Sequence, residues 1–146
     1  MPLNADAERL IRANLEQIQR GERVRIVTIG ELTDKQLEAL NRARDQRNLP
    51  PVHKEVVFLG RHLYTSRIAG DGYSIEEVIE QITSAMRDDS VINSHPKMNA
   101  LINKIGRKDA TGNVVKDKAV LECTSRSPKI ELLSVVPEGD GRAPRH

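Results

Sequence analysis

Between residues 5 and 19 the apolar positions Leu10, Ile11, Leu15 and Ile18 recur at helical spacing, and Gly21 stops the run, which predicts a first helix. The period then changes. RVRIVTI (23–29) has the alternation of a short strand closed by Gly30. Thr33 with Gln36 three residues on forms a capping box for a helix over about 34–47, in which Leu37 and Leu40 face inward, Arg42, Arg44 and Arg47 decorate the rest, and Pro50-Pro51 ends the element. Residues 55–59 are β-branched and aromatic in the manner of a buried strand leading to Gly60. Ser74 and Glu77 form a second capping box, opening SIEEVIEQITSAMR, whose buried stripe is Ile75, Val78, Ile79, Ile82 and Met86.

Beyond that helix, residues 88–112 show little pattern and predict a long basic loop as far as the turn at Gly112-Asn113. VVKDKAVLECT and IELLSVV read as two strands joined by SRSPK, and Pro137, Gly139, Gly141 and Pro144 mark a frayed tail. The fold class predicted is α+β, with two to three N-terminal and central helices packed on a small, mainly antiparallel sheet. One compact domain over 1–140 and a flexible tail over 141–146 are expected at this length.

Composition narrows the setting. Phe58, Tyr64 and Tyr73 are the whole aromatic complement, so Ile, Leu and Val must build the core. Cys123 stands alone, which excludes an internal disulfide and offers no zinc-ligand spacing; a reducing, cytoplasmic compartment is expected, with no metal and no cofactor. The N-terminus lacks the basic start and unbroken apolar run of a signal peptide, and no apolar stretch approaches the roughly 20 residues that cross a bilayer, so no membrane partner is expected. Gly-rich phosphate loops, HExxH, CxxC, GxSxG and dinucleotide fingerprints are all missing.

Net charge is +2, but its distribution says more: residues 20–67 sum to +4, residues 68–95 to −5 and residues 96–129 to +5. Two basic blocks around an acidic helix suit a phosphate-binding surface with a solvated back, and equally suit ordinary surface charge. The densest polar cluster is GRHLYTSRIAGDGY (60–73), directly after a buried strand. As a helical turn it places His62 and Ser66 four apart on one face, with Tyr64 and Arg67 three apart on another, so that a hydroxyl or phosphate could meet imidazole and guanidinium together. The structural alternative makes Leu63 and Tyr64 core, pairs Arg67 with Asp71, leaves His62 on the surface and uses Tyr73 as a staple for the following helix. Arg61, Tyr64 and Ser66, with Lys97, Arg107 and Lys108 on the basic loop beside His95 and Lys104, are the candidate binding residues. On the last strands Glu122, Thr124 and Arg126 share a face by the period of two, a carboxylate, hydroxyl and arginine suited to acid–base work on a phosphodiester or to a salt-bridged surface.

The segments IGELTDKQLEALNRARDQRNLPP, VFLGRHLYTSRIAGDGYSIEEVIEQITSAM and GNVVKDKAVLECTSRSPKIELLSVVPEGD resemble a group of uncharacterised small bacterial and prophage-associated proteins over residues 29–140. More loosely, helices followed by an antiparallel sheet with basic residues and a histidine are similar to the barnase, colicin and RelE-like ribonuclease superfamily. That second likeness implies a metal-independent ribonuclease, with His62 as acid or base, Arg61, Arg67 and Arg126 as phosphate clamps and Glu122 as a partner base. Three functions follow as expectations. The first is a non-catalytic binder, inhibitor or regulator of host nucleic-acid machinery from a bacterial mobile element, with a host protein, nucleoprotein complex or RNA as partner. The second is the toxin-like endoribonuclease. The third is a structural or assembly protein, dimerising through its last strand.

Overall fold

The structure, a computed structural model, describes residues 2–95, 98–103, 106–123 and 128–139. Among them four helices accompany a seven-stranded, mainly antiparallel sheet, the expected α+β class. Helix α1 (Ala7–Gln19) buries Ala7, Ile11 and Leu15. Strand β1 (Val27–Glu31) starts later than the alternation predicts and runs through Gly30. There the backbone of Pro2 lies so close that a Cβ on Gly30 would stand 1.6 Å from the Pro2 carbonyl oxygen, and Asn4 N–H donates to the Ile29 carbonyl at 2.8 Å. Gly30 therefore permits a close approach and does not end the strand. Ile26, assigned to this strand by the pattern, is 55% exposed outside it.

Both capping boxes form as expected. Thr33 opens α2 (Asp34–Asp45) and Ser74 opens α4 (Ile75–Ala85). Two arginines placed on the solvent side of α2 are otherwise engaged: Arg44 is buried and donates to the Pro50 carbonyl at 2.8 Å, and Arg47 donates to Ser94 Oγ at 3.3 Å. Strand β2 (Glu55–Phe58) delivers the chain to Gly60, whose φ of 86° turns it into α3 (Arg61–Leu63), continued by a π-helix over Tyr64–Gly70.

Much of the predicted long basic loop is instead strand. Strands β3 (Val91–His95) and β4 (Met98–Ile102) form a hairpin, and β5 (Arg107–Lys108) pairs with β6 (Val114–Cys123). The Asn- and Ser-rich sequence of β3 and β4 hides the alternation that pairing across the sheet supplies. Strand β7 (Ile130–Gly139) also continues through the expected fray, with Pro137 buried opposite Asp117. Past Glu131 β2 no longer pairs with β7, so a residue without an N–H can sit there with one strand neighbour.

Among the described residues the strand order is β1-β2-β7-β6-β4-β3, and the β2/β7 pair alone runs parallel. One core joins Ile11 and Leu15 of α1, Leu40 of α2 and Val78, Ile79 and Ile82 of α4 to Ile29, Val56, Leu101, Ala119, Leu121, Ile130, Leu132 and Val135 of the sheet. Those sheet residues share one face, so the opposite face carries Thr28, Asn93 and Glu122, all exposed. No helix among the described residues is long and apolar enough to cross a membrane.

Candidate functional site

The last strand sits inside the sheet between β2 and β6. Ile130 and Glu131 bond to β2, which confines the free edge of IELLSVV to the residues beyond them, while the strand bonds to β6 along its length. Its geometry matters for another reason. The register on β6 runs Glu122↔Glu131, Leu121↔Leu132, then Val120↔Ser134, so a bulge absorbs Leu133. Val120 and Glu122, two apart on β6, point to the same side, which puts Ser134 and Glu131 on that side as well although they are three apart. Leu132 and Val135, with no exposed surface to speak of, turn into the core.

Onto this re-aimed patch the helical segment after Gly60 lowers its side chains. Arg67, in the π-helix, donates from Nε to Ser134 Oγ at 3.4 Å and pairs through Nη1 with the Asp71 carboxylate. His62 Nε2 lies 3.4 Å from Ser66 Oγ, the four-residue spacing expected of a helical turn. Glu131 is half-buried, opposite Glu122 across the strand pair and within electrostatic reach of His62. Burial pushes its carboxyl above the ordinary glutamate range, the facing Glu122 pushes it further, and the nearby His62 draws it back. His62 and Arg67 from one helical segment and Glu122 from β6, some sixty residues later, thus converge on a four-residue span of β7. Glu131 carries no local sequence signal, since strand alternation by itself marks it only as a polar position facing away from Ile130 and Leu132.

Other candidates separate from this patch. Arg61 is exposed at the start of α3, and Tyr64 packs against the core beside fully buried Leu63. Tyr73 is buried in the core ahead of the Ser74 cap, as a staple would be. Arg107 does not stand on a loop: it forms a bidentate ion pair with Asp117 at 2.7 and 3.2 Å, and Asp117 has no exposed side chain. Burial pushes the Asp117 carboxyl up, opposed by hydrogen bonds from Arg107 and Ser84. Lys108 is exposed next to it on β5. Lys97, Lys104, Thr124 and Arg126 lie outside the described residues, as does the side chain of His95. Cys123 is half-buried, its thiol pushed up by burial, with Asn99 donating to Sγ at 3.5 Å.

Among the described residues no group of three His, Cys, Asp or Glu side chains is placed to hold a metal ion. The chemistry on offer at Glu131 is proton transfer. An open cleft of about 580 Å³ is lined by Leu3, Asn4, Glu31, Leu32, Thr33 and Lys54 and shares no residue with this patch. No family model, curated protein or solved structure matches the chain.

Proposed function

We propose that this chain is a toxin-like endoribonuclease of a bacterial mobile element, needing no metal and working at the β6/β7 face around Glu131. What supports the reading is the convergence of His62, Arg67 and Glu122 on that one carboxylate and its neighbour Ser134. RNA carries its own nucleophile. The ribose 2′-hydroxyl attacks the adjacent phosphorus and its proton passes to the Glu131 carboxylate; the P–O5′ bond breaks and His62 returns a proton to the departing 5′-oxygen. The products are a 2′,3′-cyclic phosphate and a 5′-hydroxyl. Arg67 supplies positive charge to the phosphorane, where it matters most. A carboxylate held above the ordinary glutamate range is a stronger base once ionised, which suits Glu131 better than exposed Glu122 for the first proton transfer.

The test is RNA cleavage in EDTA with end-group analysis. His62→Ala and Glu131→Gln should each lower kcat/KM by about 100-fold or more with the fold intact. Undiminished cleavage by His62→Ala would sink the assignment.

A second reading, a non-catalytic binder of host nucleic-acid machinery, is favoured by one observation: Arg67 is already paired with Asp71 and donates to Ser134. It predicts retention of RNA or of a nucleoprotein complex without turnover, weakened by Arg61→Ala and by rising salt.

A further inference from the structure

The two ends of the sheet are managed differently. Beside β1, Asn4 is bonded to Ile29, Pro2 lies against Gly30, a bulge falls between Thr28 and Gly30, and Lys54 pairs with Glu31 at 2.9 Å. These are the devices by which an edge is kept from recruiting another strand. At the opposite end β3 pairs with β4 in unbroken register, and no described strand lies on its other side. Its sequence, Val91-Ile92-Asn93-Ser94-His95, contains no Lys, Arg, Asp, Glu or Pro. Arg47, just past the end of α2, reaches Ser94, Ile92 packs on the core, and α2 packs on β3, so that end of α2 covers one face of this edge. The other face leaves Val91 43% exposed and Asn93 exposed.

We infer that β3 pairs with the β3 strand of a second copy of this chain, antiparallel about a two-fold axis through Asn93, joining two sheets into one. The sequence fits itself under that symmetry. Asn93 faces the partner's Asn93, and two carboxamides can donate to and accept from each other. Ile92 stands opposite the partner's Ser94 on the side covered by α2, and Val91 falls in register with residue 95 of the partner strand. No carboxylate, ammonium or guanidinium meets its like, the juxtaposition that forbids most edges from pairing with themselves. A strand of unrelated sequence would gain the same backbone bonds, but the isologous pairing needs nothing beyond what this chain carries. With five residues a side the interface is small, so the dimer forms only as concentration rises. The β6/β7 patch stays open in it, since β4 and β6 separate β3 from β7.

Sedimentation of the full chain from about 1 to about 500 μM should show the mass rising from monomer towards dimer. Asn93→Lys sets two ammonium groups face to face and Asn93→Asp two carboxylates; each alone should stay monomeric across that range with an unchanged far-UV spectrum. Mixed in equal amounts the two variants should dimerise again, and β3 amides of the unaltered chain should gain hydrogen-exchange protection as concentration rises. A monomeric mass throughout for the unaltered chain would overturn the inference. So would a dimer that Asn93→Lys leaves untouched, or folded variants whose mixture stays monomeric.

Discussion

Glu131 has neighbours that act on its proton in opposite senses, with burial and Glu122 holding the proton on and His62 pulling it off. Its folded pKa is raised, so its contribution to stability is full below the ordinary glutamate range and lost as pH rises through the raised folded value. Glu131→Gln removes that loss. Urea titrations from about pH 4 to about pH 7 should therefore show the variant giving up less stability over the window than the parent, and parallel curves would show that the carboxyl is not strained there. Arg67 was legible as a pair with Asp71 from the four-residue spacing alone. Glu131 was not, because its significance depends on which residue of β6 faces it and on a helix seventy residues earlier. Local spacing carries no information on either.

At the scale of elements, what could be read in advance was what nearby residues decide. Thr33–Gln36 and Ser74–Glu77 each satisfy two backbone N–H groups within one turn, so both helix starts are visible in sequence. Ser74→Ala should cost about 1 kcal/mol in chemical denaturation. The β3/β4 hairpin and the Leu133 bulge depend on register between strands and stayed hidden. The bulge also reverses the strict alternation, which would have sent Ser134 into the core and Val135 to the open face. Gly60 joins the two levels: it has positive φ, and a Cβ there would stand 2.4 Å from Asn14 Oδ1 and 3.0 Å from the Phe58 ring. Gly60→Ala is therefore expected to cost about 2 kcal/mol or more and to disturb α3, lowering activity along with stability. A variant as stable as the parent would show that the turn into α3 has another solution.

Across the whole molecule, charge segregation in sequence overstated the basic surface. Arg107, counted in the second basic block, is drawn inward to Asp117, which ties β5 to β6 beneath α4, with Ser84 of α4 donating to the same carboxylate. Breaking a pair this enclosed leaves one ion without its partner. Asp117→Ala should destabilise by about 3 kcal/mol, a large share of the stability of a chain this size. Within the described residues, the α+β class and the three long helices could be foreseen, whereas the sheet order that brings His62, Arg67 and Glu122 together could not.

The most direct test of the account is the pH dependence of kcat/KM for RNA cleavage. If Glu131 is the base, activity rises on the acid side as Glu131 ionises, above the pH of an ordinary glutamate. Glu122→Gln removes a carboxylate that raises that ionisation, so the acid limb should move to lower pH while the variant keeps cleaving. An acid limb unmoved by Glu122→Gln, or RNA left intact by the parent chain at every pH, would contradict it.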